Sequence, residues 1–460
     1  MRPHPHRDTG TSTTSIERVN NVSRAAAVVQ SDPAPLPPPS WLPWSVWAVA
    51  ATFYLAAFYL RTSPAVMTTE LMRDFGIKAS QLGQFSAFYF YAYILMQIPT
   101  GVLVDSWGAR RLLIGGSLAA ATGTLLFGAT TSYALASAGR AIVGASTAVG
   151  WVVTLKLATH WFPKRRFAML SGLGLMMGNI GALFAQVPLR LLVEQYGWRA
   201  VALGSAAAVL AIGAAAWAFV VNDPSDKGYA SHAPLELRQS SHVTIWALLR
   251  HVPGLFAFRN TWLIFLAQGG FVGAMLSFTG LWGPAYLKQR FALSSTDAAA
   301  VCSVMIVCWA VASPLAGHFS DAIGRRKPIY LGGAIVAAMG WSVMFYMPLP
   351  LAVFTGVAAM TSFACGAVVV AFAFAKESVP VRFLGTISGA VNVGNMLGPT
   401  LLQPAIGWVL DRRWTGAFAG GARVYSAEAF HAAFALIVAW AVLSCLLIAL
   451  SKDTVCRQTA

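Results

Sequence analysis

The chain has 460 residues, 57% of them hydrophobic and 10% charged, and a net charge of +16 from 32 Lys and Arg against 16 Asp and Glu. A soluble globular domain carries about 25% charged residues, so these side chains cannot cover the surface of the several cores that such a length would build. A water-soluble enzyme, a nucleic-acid-binding protein and a secreted disulfide scaffold are excluded.

The first segment, 1–43, is rich in Ser, Thr and Pro, including Pro33, Pro35 and Pro37 to Pro39. It has no apolar core suited to a cleavable signal, so a disordered cytoplasmic tail is expected. Trp41, Trp44 and Trp47 then mark a membrane interface. Twelve apolar stretches of about 20 residues follow, the length that a bilayer core requires. They fall near 44–67, 82–104, 111–130, 134–158, 168–191 and 200–221, then 260–286, 298–319, 328–347, 350–374, 383–409 and 428–450. The expected organisation is a six-helix bundle over 44–221, a central cytoplasmic loop at 222–259, a second bundle over 260–450 and a cytoplasmic tail at 451–460.

The basic residues sort by side. With the N-terminus inside, Arg2, Arg7, Arg18, Arg24, Arg110, Arg111, Lys164, Arg165, Arg166, Lys227, Arg238, Arg250, Arg259, Arg325, Arg326, Lys327, Lys376, Arg382, Lys452 and Arg457 are cytoplasmic, 20 of the 32. Nine lie outside, so the positive-inside rule places both termini in the cytoplasm. Three remain within spans: Arg61, Arg140 and Lys156. The five cysteines show no metal spacing and read as packing residues.

The two halves repeat. Gly101, Asp105, Gly108 and Arg110 recur as Gly317, Asp321, Gly324 and Arg326, each 216 residues later, and Gly178-Asn179 recurs as Gly394-Asn395. A fixed spacing across separated motifs indicates a duplicated unit, and two halves around a central site is a common plan of secondary transporters.

The loop Gly101-Val-Leu-Val-Asp105-Ser-Trp-Gly108-Ala-Arg110-Arg111 resembles the signature loop of the major facilitator superfamily, and Gly317-His-Phe-Ser-Asp321-Ala-Ile-Gly324-Arg325-Arg326-Lys327 is its second copy. Ala109 departs mildly from the usual Arg. The resemblance implies an all-α membrane protein of twelve helices in two pseudo-symmetric bundles that alternates access. It also implies that Asp105, Gly108, Arg110 and Arg111, with Asp321, Gly324, Arg325 and Arg326, form conformational latches.

A charge inside a span is a functional hypothesis by default. Arg61, in Tyr59-Leu-Arg61-Thr-Ser-Pro64, is placed like an arginine that binds anionic substrate in the superfamily's organic-anion and organophosphate branches. Its symmetry position is Leu281, so no two-arginine phosphate clamp is expected. Arg140 opens Arg140-Ala-Ile-Val-Gly144, similar to a second superfamily motif, at a depth near that of Arg61. Lys156 lies 16 residues on, about 24 Å along the helix, and reads either as a gate residue at the cytoplasmic rim or as a lysine that snorkels to the interface. Tyr89, Tyr93 and Gln97 form an i, i+4, i+8 stripe, and Gln268 and Trp282 flank a Gly-rich seventh span. Arg61, Arg140, Tyr89, Tyr93, Gln97, Gln268 and Trp282 are the candidate substrate contacts.

Acidic side chains are nearly absent from the spans, and the fifth span lacks the Gly-Pro dipeptide of the superfamily's drug/proton antiporters. The buried charge is positive, which favours an anionic or zwitterionic cargo such as a carboxylate, an amino acid or a small peptide. A weaker resemblance to phagosomal-type amino-acid permeases leans toward amino acids. The alternative is an efflux pump for a hydrophobic compound, supported by the 12% aromatic content. A monomeric, multi-pass carrier of the inner membrane is expected, with a small-molecule substrate, protons as a candidate coupling partner and lipid around it. No cofactor, metal, catalytic residue or nucleic acid is expected.

Overall fold

The computed structural model describes residues 36–233 and 253–458. The expected tail over 1–35 and most of the central loop, with Arg238 and Arg250, lie outside the described residues. Among the described residues twelve long helices follow one another: α1 (Trp41–Val66), α2 (Ala79–Ser106), α3 (Ala109–Ala129), α4 (Tyr133–Trp161), α5 (Lys164–Tyr196), α6 (Trp198–Phe219), α7 (Arg259–Phe291), α8 (Ser295–Ile323), α9 (Lys327–Tyr346), α10 (Leu351–Glu377), α11 (Leu384–Arg412) and α12 (Ala427–Leu450). Among the described residues ten are long and apolar enough to cross a membrane, and α2, broken at Gln97/Pro99, makes an eleventh. α11 has the length, at 29 residues, but Asn392, Asn395, Gln403 and two internal prolines dilute its apolarity.

Several helices outrun the apolar stretches that announced them. α5 continues past 191 to Tyr196 and α7 past 286 to Phe291, because the extra turns carry Glu194, Lys288 and Arg290 at the membrane edge. Broken helices mark the interior. Pro64 ends the regular part of α1, which continues as a 3₁₀ turn over Ser63–Val66. α7 contains two π-helical turns, Gly269–Gly273 and Phe278–Trp282, a distortion that often accompanies function.

Close helix crossings rest on glycine. A Cβ on Gly144 of α4 would lie 2.0 Å from the carbonyl oxygen of Tyr89 on α2, and one on Gly181 of α5 would lie 2.0 Å from that of Leu55 on α1. Either contact forces backbone apart. Gly144→Ala is therefore expected to destabilise the protein by about 1–3 kcal/mol and to displace Tyr89 from its neighbours. The thermal midpoint of the purified variant checks this; an unchanged midpoint contradicts the crossing.

The halves meet chiefly at one end. Asp411 of α11 accepts from the N–H groups of Ala79 (3.1 Å) and Ser80 (2.9 Å) at the start of α2. The Tyr425 hydroxyl shares the Ala79 N–H at 3.0 Å, and Gln186 of α5 donates to the Thr279 carbonyl of α7 at 3.1 Å. The loop joining α11 to α12 folds as strands β1 (Phe418–Ala419) and β2 (Ala422–Arg423), and β2 packs against the short helix Thr68–Phe75 of the other half. At mid-depth one further bond joins Gln97 to Asn392 at 2.8 Å. The opposite end, where both signature loops lie, carries no hydrogen bond between the halves among the described residues.

Candidate functional site

The end of α1 creates a local need. Pro64 has no N–H, so the carbonyl of Leu60 loses its helical partner. The Ser63 hydroxyl donates to Leu60 O at 3.1 Å, and Arg140 of α4 adds a shorter bond: one terminal nitrogen donates to Leu60 O at 2.6 Å and the other to Arg61 O at 3.2 Å. A guanidinium at a helix C-terminus also opposes the helix dipole favourably. Arg140 is 2% exposed, and its Nε is buried without a partner.

Arg61, 4% exposed, projects from the segment that Arg140 holds. Its Nε donates to the Tyr89 hydroxyl at 3.3 Å, and its guanidinium lies 4.3 Å over the Phe58 ring and 5.0 Å from that of Tyr93. The two terminal nitrogens of Arg61 make no hydrogen bond among the described residues. Tyr89 is oriented by a relay. The Thr147 hydroxyl donates to Val143 O at 2.8 Å, so at its 2.8 Å contact with Tyr89 the phenol is the donor. The Tyr89 oxygen is then left as an acceptor aimed at Arg61. No carboxylate lies within ion-pair distance of either arginine among the described residues.

Four of the seven candidate contacts, Arg61, Arg140, Tyr89 and Tyr93, thus form one cluster. The other three lie elsewhere. Gln97 is two helical turns beyond Tyr89, about 12 Å along the axis, and bonds Asn392 across the halves. Gln268 is fully buried, accepting from the Tyr330 hydroxyl of α9 at 3.4 Å, and Trp282 donates to Gln403 O at 3.1 Å, which packs α7 on α11. Phe58 and Thr147 join the cluster without having been singled out. Both were findable, since Phe58 precedes Arg61 by three residues and Thr147 follows Arg140 by seven, each on the same helix face.

The signature loops are built within each half. Asp105 pairs with Lys156 at 2.8 Å, and Lys156 also donates to Val104 O at 2.7 Å. The rim lysine is therefore the first aspartate's partner, in place of the adjacent arginines. Arg110 instead donates to Trp217 O at 2.6 Å, its N–H is capped by Asn222 at 2.8 Å, and Arg111 is exposed with no hydrogen bond among the described residues. Gly108 is held at φ +82°, where a Cβ would strike the Asn222 side chain at 2.6 Å. Its repeat mate Gly324 has φ +68°.

In the second copy Arg326 pairs with Asp321 and, at 2.8 Å, with Glu377. Arg325 pairs with Asp453 at 2.9 Å. Asp453 also caps the N–H groups of Arg326 and Lys327, as Asn222 caps Arg110, so the segment after α12 is built into the bundle end. At the position of Glu377 less 217 residues stands His160, which bonds Asp223 at 2.7 Å. Burial pushes the Asp223 carboxyl up, but hydrogen bonds from Ser225, His160 and Ser231 outweigh it and hold the group at about 2. This folded value lies below the ordinary carboxylate value, so the stability it contributes is present above about pH 4 and lost as pH falls toward 2.

Asp105 is 67% exposed on its side chain against 19% for Lys156, so solvent screening limits their coupling to about 1 kcal/mol or less. A double-mutant cycle of Asp105→Asn and Lys156→Met, read by thermal midpoint and uptake, is expected to be non-additive. Additive effects would remove the pair.

Comparison with known proteins agrees with this architecture. A family profile described as Major Facilitator Superfamily matches residues 46–399 and again 269–455. The "Probable sulfoacetate transporter SauU" of Cupriavidus necator is 22% identical over 396 residues, covering 81% of this chain and 88% of the relative. The "Probable galactarate/D-glucarate transporter GudP" of Escherichia coli is 23% identical over 428 residues, covering 82% and 89%. Among solved structures, a bacterial homolog of the human lysosomal transporter Spinster superposes with a TM-score of 0.71 at 16% identity, covering 90% of this chain and 97% of that one.

Proposed function

The chain belongs to the Major Facilitator Superfamily, a multi-pass membrane transporter and not an enzyme, and from that premise we propose that it carries a small organic acid by alternating access, with Arg61 taking the carboxylate. One observation carries the reading: Arg61 is buried in a span with aromatic faces and a phenol oxygen for neighbours and, among the described residues, no counter-charge. A buried charge without a partner is costly. In this conformation Phe58 and Tyr93 cover it through their ring faces; an arriving carboxylate displaces them and engages the two free terminal nitrogens. The printed names of the two relatives, a sulfonated carboxylate and hexarates, support an anionic cargo.

Arg140, committed to the backbone of α1, positions Arg61. Thr62, beside Arg61, stands opposite Gly280 in the second π turn of α7, where a Cβ would lie 3.8 Å from Thr62. Movement of that turn on cargo binding gives the site a direct mechanical link to the other half. With no carboxylate at Arg61, a proton would travel on the cargo itself, or the carrier would exchange one anion for another. The positive-inside count supports termini in the cytoplasm and, for a bacterial chain, residence in the inner membrane.

A thermal-shift screen of the purified chain tests the proposal. Hydroxylated dicarboxylates, a sulfonated carboxylate, a dipeptide and an organic cation are compared; stabilisation by an acid is expected. Stabilisation by the cation alone would overturn it.

A further inference from the structure

On the outer surface of the first half, at the end that bears the signature loops, a groove of about 510 Å³ opens between the start of α3 and the end of α6. It is lined by Trp107, Arg110, Arg111, Ile114, Trp217 and Asn222. We propose that this groove binds the phosphate of an anionic phospholipid.

The donors are in place and unused. Among the described residues Arg111 is exposed with no hydrogen bond, and the Nε of Arg110 is buried and unpartnered, while the rest of Arg110 is fixed by its bond to Trp217 O. Among the described residues no acidic side chain lines the groove. Asp105, two residues before Trp107, is already paired with Lys156. Two arginines beside each other suit a phosphate because the guanidinium presents several donors in a plane.

The rest of the lining selects a lipid over a free anion. Trp107 and Trp217 are 57% and 67% exposed at the ends of spans, and indoles favour the level of the headgroups and glycerol. Ile114, about one turn deeper into α3, continues the groove toward the acyl region. A free phosphate would use the arginines and leave both indoles and the isoleucine without a role. The site is separate from the Arg61 cluster and does not depend on which cargo that cluster takes.

Native mass spectrometry of the full chain with phosphatidylglycerol or phosphatidylcholine added at equal concentration tests the proposal, alongside thermal midpoints in the same lipids and in inorganic phosphate. Retention of phosphatidylglycerol about tenfold over phosphatidylcholine is expected, the equivalent of one good charged contact. Arg111→Gln should remove most of that preference, Arg111→Lys should keep part of it, and Trp217→Leu should weaken retention of both lipids. Equal retention of the two lipids by the native chain, or a preference indifferent to Arg111→Gln, would overturn the site. Stabilisation by inorganic phosphate equal to that by phosphatidylglycerol would overturn the lipid as its occupant.

Discussion

Arg61→Ala is expected to weaken binding of the transported acid by about 30-fold or more, since truncating one member of a desolvated charge pair costs about 2–5 kcal/mol. The fold should survive, because among the described residues Arg61 makes one side-chain hydrogen bond, to Tyr89, and otherwise touches aromatic faces. Arg61→Lys should fall between: an ammonium keeps the charge but loses the planar fork and the stacking on Phe58. Arg140→Ala should behave differently, lowering the thermal midpoint, because it takes the buried guanidinium donor from Arg61 O and leaves Leu60 O with only the Ser63 hydroxyl, at 3.1 Å. Equilibrium binding of a labelled acid, set beside the thermal midpoint of each variant, separates the two roles. Equal affinity of wild type and Arg61→Ala would remove Arg61 from the site.

The second large effect is expected at Asp411. Its carboxylate reaches from the end of α11 to the first N–H groups of α2 in the other half, accepts from Tyr425 at 2.7 Å and has Arg423 at 4.0 Å. A carboxylate at a helix N-terminus gains from both the free N–H groups and the dipole. Gly407 and Gly83 permit the approach: a Cβ on either would come within 2.3 or 2.4 Å of a backbone oxygen across the interface, that of Ala79 or of Gln403. Asp411→Asn keeps the shape but removes the charge and one acceptor, a loss of about 1–3 kcal/mol. That corresponds to a shift of about 5- to 150-fold toward states in which this end has parted. Spin-label distances between the start of α2 and the end of α11 should lengthen in the variant; an unchanged distribution would exclude Asp411 as the closure.

Much of the architecture was legible in the chain. The twelve apolar stretches all became helices, and the 216-residue repeat of the signature loop corresponds to matched turns at Gly108 and Gly324. Arg61 and Arg140 announced themselves because a charge in a span is rare, and their similar depth anticipated that they share a cluster. Partners were less legible. In a membrane protein the lipid-facing and core-facing sides of a helix are both apolar, so periodicity does not tell which way Gln268 or Trp282 turns. Nor does spacing along the chain reveal that Lys156 meets Asp105 from 51 residues away, or that Asp453, after the last helix, caps the start of α9. The backbone role of Arg140 could have been inferred: Pro64 leaves a carbonyl unpaired, and a buried donor must be found for it.

Uptake into proteoliposomes tests the central claim most directly. Labelled hydroxylated dicarboxylate should enter vesicles containing the native chain in a saturable manner, be competed by other small organic anions and not by an organic cation, and fail to enter with Arg61→Ala. Saturable entry of the cation, untouched by anions and by the loss of Arg61, would contradict the account.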